Sequence, residues 1–137
     1  MAIGAAPFAP DYEALVARLA EIFARDTDVH FACFPDDPED YATTEYMAWA
    51  AREAGLGAHF VPIPEIGLTD AGQFADGEGR VIGAMFKLYP WEDMLRDDFA
   101  QALPGARCHF LEPPWKAILS NKGILPVLWR LFEGHPN

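Results

Sequence analysis

Basic residues are scarce in this chain. Ten Lys and Arg stand against 21 Asp and Glu among 137 residues, for a formal net charge of −11. So acidic a surface repels phosphate backbones and anionic headgroups, which argues against nucleic-acid and membrane partners and leaves amines and polyamines compatible. Cysteine is nearly absent, and Cys33 and Cys108 alone make no disulfide framework. No apolar run approaches the roughly 20 residues of a spanning helix. The segment 1–10 is apolar but carries no Lys or Arg, so it does not read as a signal peptide. A Gly-rich phosphate loop, a zinc-ligand spacing and a serine nucleophile elbow are all missing. The expectation is a reduced, cytoplasmic domain.

What is present is an ordinary globular balance, 51% hydrophobic and 23% charged, in a length that favours one domain. Leu15, Leu19, Ile22 and Phe23 recur at helical spacing over 11–25, with Asp11 available as an N-cap. The run 29–34 reads as a strand. A second helix is expected from Pro38, with Glu39 and Asp40 at the positive end of its dipole, carrying Tyr41, Tyr46, Met47, Trp49 and Ala50 as far as the glycines at 55 and 57.

Further strands are expected over 59–63, 80–88 and 108–111. Residues 73–75 and 80–86 are candidates to pair as a hairpin about Asp76-Gly77. Helices are expected over 91–103 and, despite Pro126, over 121–132. This alternation predicts a three-layer α/β/α domain with a mainly parallel sheet, whose ligands gather outside the carboxyl ends of the strands. The segments there are 35–40, 62–69, 87–93 and 112–122.

Three segments carry candidate chemistry. In the first, Lys87 is followed by Trp91, Glu92 and Asp93 at a helix start. The carboxylates complement the dipole there, with Trp91 as a staple, or else they line with Lys87 a mouth for a charged substrate. In the second, Lys122 follows Ser120 and Asn121, both potential caps. A lysine opposes the dipole at that end, so it is either solvated or suited to an anion such as a nucleotide phosphate. In the third, Asp36, Asp37, Glu39 and Asp40 form either a solvated helix start or a rim attracting amines or metals. His30, His59, His109 and His135 show no ligand spacing. The first three read as core or edge histidines, and His30/Cys33 could meet Cys108/His109 only on neighbouring strands.

Taken together and in order, Phe86-Lys-Leu-Tyr-Pro-Trp-Glu-Asp-Met-Leu-Arg96, Phe110-Leu-Glu-Pro-Pro-Trp-Lys116, Ser120-Asn-Lys-Gly-Ile-Leu-Pro-Val-Leu-Trp129 and Gly134-His-Pro-Asn137 make the chain similar to the glutathionylspermidine synthase family. The resemblance covers 11–137, is strongest after Gly67, and lies nearest the family's standalone acid–amine ligases. It implies a pre-ATP-grasp-like domain of an ATP- and Mg2+-dependent C–N ligase. Such a ligase activates a peptide or acid carboxylate as an acyl phosphate, which an amine or polyamine then attacks.

By the same resemblance, Lys122 matches the family's nucleotide-binding lysine, and Glu39 and Asp40 match an acidic pair contacting peptide and polyamine. Asp93 falls where the synthase has a glutathione-contacting threonine, a departure that sets a carboxylate against an anionic peptide. The family's metal-binding residues have no counterpart here, so no catalytic or metal-binding residue is assigned. Residues 1–10 are then expected to be an appended or flexible N-terminus. Residues 11–137 form the domain, and 113–137 lead toward ATP-grasp lobes not contained in the chain, which alone is expected to be inactive. The competing expectations are a non-catalytic peptide- or polyamine-binding module, or a scaffold in which Trp91, Trp115 and Trp129 are core.

Overall fold

Val29, Phe31, Ala84 and Phe86 point to one side of a sheet, while Ala32, Val61 and Met85 point to the other, which is the period-2 alternation of strands buried on both faces. The computed structural model describes residues 10–136. Four parallel strands, β1 (Asp28–Cys33), β2 (Gly57–Pro62), β5 (Ala84–Lys87) and β6 (His109–Leu111), lie in the order β2-β1-β5-β6. Between them a short antiparallel pair, β3 (Gly67–Leu68) with β4 (Phe74–Ala75), forms a separate arm.

Helices α1 (Pro10–Ile22) and α2 (Pro38–Glu53) cover the first face. The side of α2 toward the sheet is Thr44, Ala48, Ala50 and Ala51, small residues that bring the helix close. Its aromatic residues Tyr41, Tyr46 and Trp49 are exposed. Asp37 caps α2 by accepting the N–H groups of Glu39 and Asp40 at 3.0 and 3.1 Å, with Pro38 in the first turn. Past its end, Gly55 takes φ +83°, a left-handed conformation that suits glycine.

The third layer packs Phe74, Ile66 and Ile82 with Trp91 and Met94 of α3 (Trp91–Met94) on the opposite face. The fold is the expected three-layer α/β domain with a parallel sheet. The expected N-terminal segment, Pro10 apart, lies outside the described residues, as does Asn137.

Several local expectations are corrected. α1 already includes Pro10, so Asp11 sits in its first turn and is not the cap. The strand expected over 80–88 is confined to Ala84–Lys87. β4 pairs with β3 and also with the 80–86 segment about the turn at Asp76-Gly77, through an antiparallel Ala75–Val81 bridge. There the Ile82 N–H donates to the Phe74 carbonyl at 2.8 Å and the Asp76 N–H to the Arg80 carbonyl at 3.0 Å. The helix expected over 91–103 breaks after α3. Asp97 accepts the N–H of Asp98 and the hydroxyl of Tyr89, which starts a separate 3-10 turn, Asp98–Gln101.

After β6, the expected loop contains a 3-10 turn (Pro114–Lys116) and α4 (Ala117–Ser120). Helix α5 (Ile124–Phe132) follows, and Pro126 is tolerated because it falls in the first turn, where N–H groups have no intrahelical partner. Of the three tryptophans proposed as core, only Trp91 is buried; Trp115 and Trp129 are 59% and 70% exposed.

Candidate functional site

A cleft of about 340 Å³ opens at the carboxyl ends of the strands, where parallel sheets place ligands. Asp40 enters it from α2, Lys87 from the end of β5, Trp91 and Glu92 from α3, and Glu112 from the residue after β6. Lys116 and Ser120 close its far side. Strand parity decides the placement of Lys87. It shares the face of Met85, so its side chain runs under α3 rather than toward α1.

Lys87 is only 6% exposed. Its Nζ donates to the Tyr89 carbonyl at 2.6 Å and lies 3.9 Å from the centroid of the Trp91 ring. Burial pushes the ammonium down to a pKa of about 8, against the opposing pull of Glu112 and Glu92. The Glu92 carboxyl is held below the usual range by Ser120, its own backbone N–H and nearby Arg96 and Lys87. Ser120 Oγ lies 2.7 Å from Glu92 Oε1 and 3.0 Å from the Ala117 carbonyl, and its single proton serves one of them at a time.

Trp91 packs edge-on against Phe110 at 4.9 Å between centroids, and its buried Nε1 has no hydrogen-bond partner. The cleft therefore joins two ammonium groups, three carboxylates and an aromatic wall, a set able to orient a charged ligand by its termini.

Of the residues singled out in the sequence, Asp40 lines this cleft. Glu39 is exposed one residue earlier on α2, and Asp93 is exposed on α3; neither is among the lining residues. The mouth expected from Lys87 with two carboxylates thus forms with Glu92 and not with Asp93. Lys122 is exposed in the turn between α4 and α5, also outside the cleft. Neither Ser120 nor Asn121 caps α5; Gly123 occupies that position, and its N–H goes to Asn121 Oδ1 at 2.8 Å.

Glu112 and Lys116 were legible only as members of a strand-end segment and of the ordered motifs, and Ser120 as a potential helix cap. Their contribution depends on α4 folding back beside α3. Among the described residues no group of three or more His, Cys, Asp and Glu could hold a metal ion, and β5 separates the His30 and Cys33 strand from that of Cys108 and His109. Burial raises the thiol of Cys33, and that of Cys108 up to about 12, so neither is a thiolate nucleophile at neutral pH. No described helix is long and apolar enough to cross a membrane.

Fold and cleft together define a parallel α/β domain with a charged pocket at the carboxyl ends of its strands. The chain matches the model of the glutathionylspermidine synthase preATP-grasp domain over residues 3–137, and it belongs to that family. It is 35% identical over 113 residues to a putative acid–amine ligase of Haemophilus influenzae, covering 81% of this chain and 29% of that protein. It is 33% identical over 132 residues to the bifunctional glutathionylspermidine synthetase/amidase of Escherichia coli, covering 78% of this chain and 21% of that one. A trypanothione synthetase of Crithidia fasciculata is 29% identical over 131 residues, with 79% and 20% covered. The chain thus spans between a fifth and a third of the length of these relatives.

Proposed function

We propose that this chain is the substrate-side domain of an ATP-dependent C–N ligase that joins a peptide or acid carboxylate to an amine or polyamine in the cytoplasm. The observation that carries the reading is the strand-end cleft, where buried Lys87 faces Glu92 and Glu112 in a member of a ligase family. In this reading Asp40 faces the substrate directly. Glu39 and Asp93 stand beside the cleft and act on substrate once the remaining lobes close over it. Lys122 contacts the nucleotide, which supplies the activation of the acid as an acyl phosphate. In this reading the Mg2+ that accompanies the nucleotide is held by lobes outside this chain. Residues 113–137 lead toward those lobes, and the 137 residues alone do not ligate.

The test is nucleotide turnover by the ligase carrying this domain, given Mg-ATP with peptides and polyamines. Acceptor-dependent release of ADP is expected, and Lys122→Ala should weaken nucleotide affinity by about 1.5–3 kcal/mol, the strength of a charge-assisted hydrogen bond. Absence of ADP release with every acid and amine pair would reject the ligase reading. Amine or peptide binding without turnover, by a native product no longer than this chain, would favour a binding module instead.

A further inference from the structure

On the sheet face that packs against the arm lies a second polar cluster that shares no residue with the cleft. His30 sits on the central strand β1, in register with His59 of β2 and Met85 of β5, and is fully buried. Its Nε2 is 3.3 Å from Asp76 Oδ2, and its Nδ1 has no hydrogen-bond partner. Asp76 opens the turn that follows β4. Its Oδ1 accepts the N–H groups of Glu78 and Arg80 at 3.0 and 2.9 Å, and its Oδ2 accepts Arg80 Nε at 2.7 Å.

The other charged groups nearby are accounted for. The His59 ring lies 5.2 Å from that of His30, and its Nε2 is 2.7 Å from Asp28 Oδ1. Arg80 also pairs with Glu78, and the Glu65 carboxylate lies beside Gly77.

These contacts fix the tautomer of His30. An ionised Asp76 only accepts, so Nε2 carries the proton of the neutral ring and Nδ1 is bare. A second proton would place a charged N–H against no acceptor in a fully buried site. Burial resists that proton, Asp76 favours it, and His59 and Arg80 oppose it, with a net downward shift.

We propose that His30 and Asp76 form an acid-sensitive latch, which holds the turn 76–80 on the sheet while His30 is neutral and loosens when a proton reaches Nδ1. The sign follows from linkage. An unfolded histidine takes up its proton near pH 6.5, and the folded one resists it, so the unfolded state binds more protons below that pH. The ratio of folded to unfolded protein then falls by up to tenfold for each pH unit of acidification.

The test is the denaturant-unfolding equilibrium between about pH 7.5 and pH 5 for wild type, His30→Gln and His59→Gln, with amide exchange followed at Glu78 and Arg80. Glutamine keeps a donor for Asp76 but does not titrate. Wild type and His59→Gln should lose up to tenfold per unit below about pH 6.5 while His30→Gln stays level. The two amides of wild type, corrected for intrinsic exchange, should lose protection over the same range. A wild-type slope in His30→Gln, a slope abolished by His59→Gln, or unchanged amide protection would overturn the latch. Should His30→Gln fail to fold, ring-nitrogen NMR of wild type decides. A ring still neutral and protonated at Nε2 at about pH 6.5, where a free histidine is half protonated, supports the latch, and an imidazolium already present there in a fully protected turn overturns it.

Discussion

The Lys87 ammonium lies 3.9 Å from the centroid of the Trp91 indole ring while its Nζ donates to the Tyr89 carbonyl at 2.6 Å. One buried cation thereby ties the end of β5 to the start of α3, and the turn between them cannot open without exposing it. The same arrangement places Glu92 beside the cation and within reach of Ser120.

Lys87 makes stability rise with pH on the alkaline side. Its folded pKa of about 8 lies below the ordinary lysine value of 10.5. The unfolded state therefore holds more protons between those values, and the penalty of burying the ammonium is relieved as pH climbs through about 8. The protein should gain on the order of 2 kcal/mol between about pH 8 and 10, and Lys87→Met should lack that gain. Denaturant unfolding at several alkaline pH values measures both.

Asp76 sets the opposite limb. Burial alone would raise its carboxyl, but the N–H and guanidinium of Arg80, the His30 ring and the Glu78 N–H hold it at about 2. The stability it confers is present above the ordinary value of 3.8 and is lost as pH falls toward 2. Asp76→Asn should cost about 2–4 kcal/mol at neutral pH, because Arg80 and His30 lose an ionised partner, and should flatten the acid limb. An unfolding midpoint unchanged at neutral pH would contradict this role.

Ser120→Ala tests the junction between α3 and α4. Loss of the hydroxyl removes the first cause that holds Glu92 down, so its carboxyl should titrate closer to the ordinary glutamate value. Side-chain carboxyl NMR across the acid range reads the shift directly, and an unmoved Glu92 would mean that Ser120 spends its proton on Ala117.

The surface of α5 is the fourth test. Leu125, Val127, Trp129, Leu131 and Phe132 are all more than half exposed, and Trp115, Ile118 and Leu119 extend the apolar area. Trp129→Lys should therefore leave the unfolding free energy within about 0.5 kcal/mol and reduce concentration-dependent association of the protein. Sedimentation at two concentrations, with a denaturant titration, checks the pair of outcomes.

Much of the fold was legible in the sequence. The β-branched and aromatic runs located the four parallel strands, and Pro38, Glu39 and Asp40 marked the start of α2 through turn and dipole chemistry acting within a few residues. What was not legible depended on partners remote in sequence. Beyond the break after Met94, Asp97 is tied to Tyr89, and β4 takes β3 as its partner while bridging Ala75 to Val81. The outward-facing aromatics of α2 follow from alanines fitting more closely on the sheet.

The site divides in the same way. Sequence by itself determined the strand-end segments, the acidic balance and the family, because these rest on composition, local spacing and ordered motifs. Tertiary structure alone decided that Glu92 rather than Asp93 joins Lys87, that Asp40 rather than Glu39 lines the cleft, and that Lys122 stands outside it. It also decided that Asp76 meets His30 across 46 positions. Which way a side chain faces, and what shields it from water, is set by the packing of whole layers, and no local pattern encodes that.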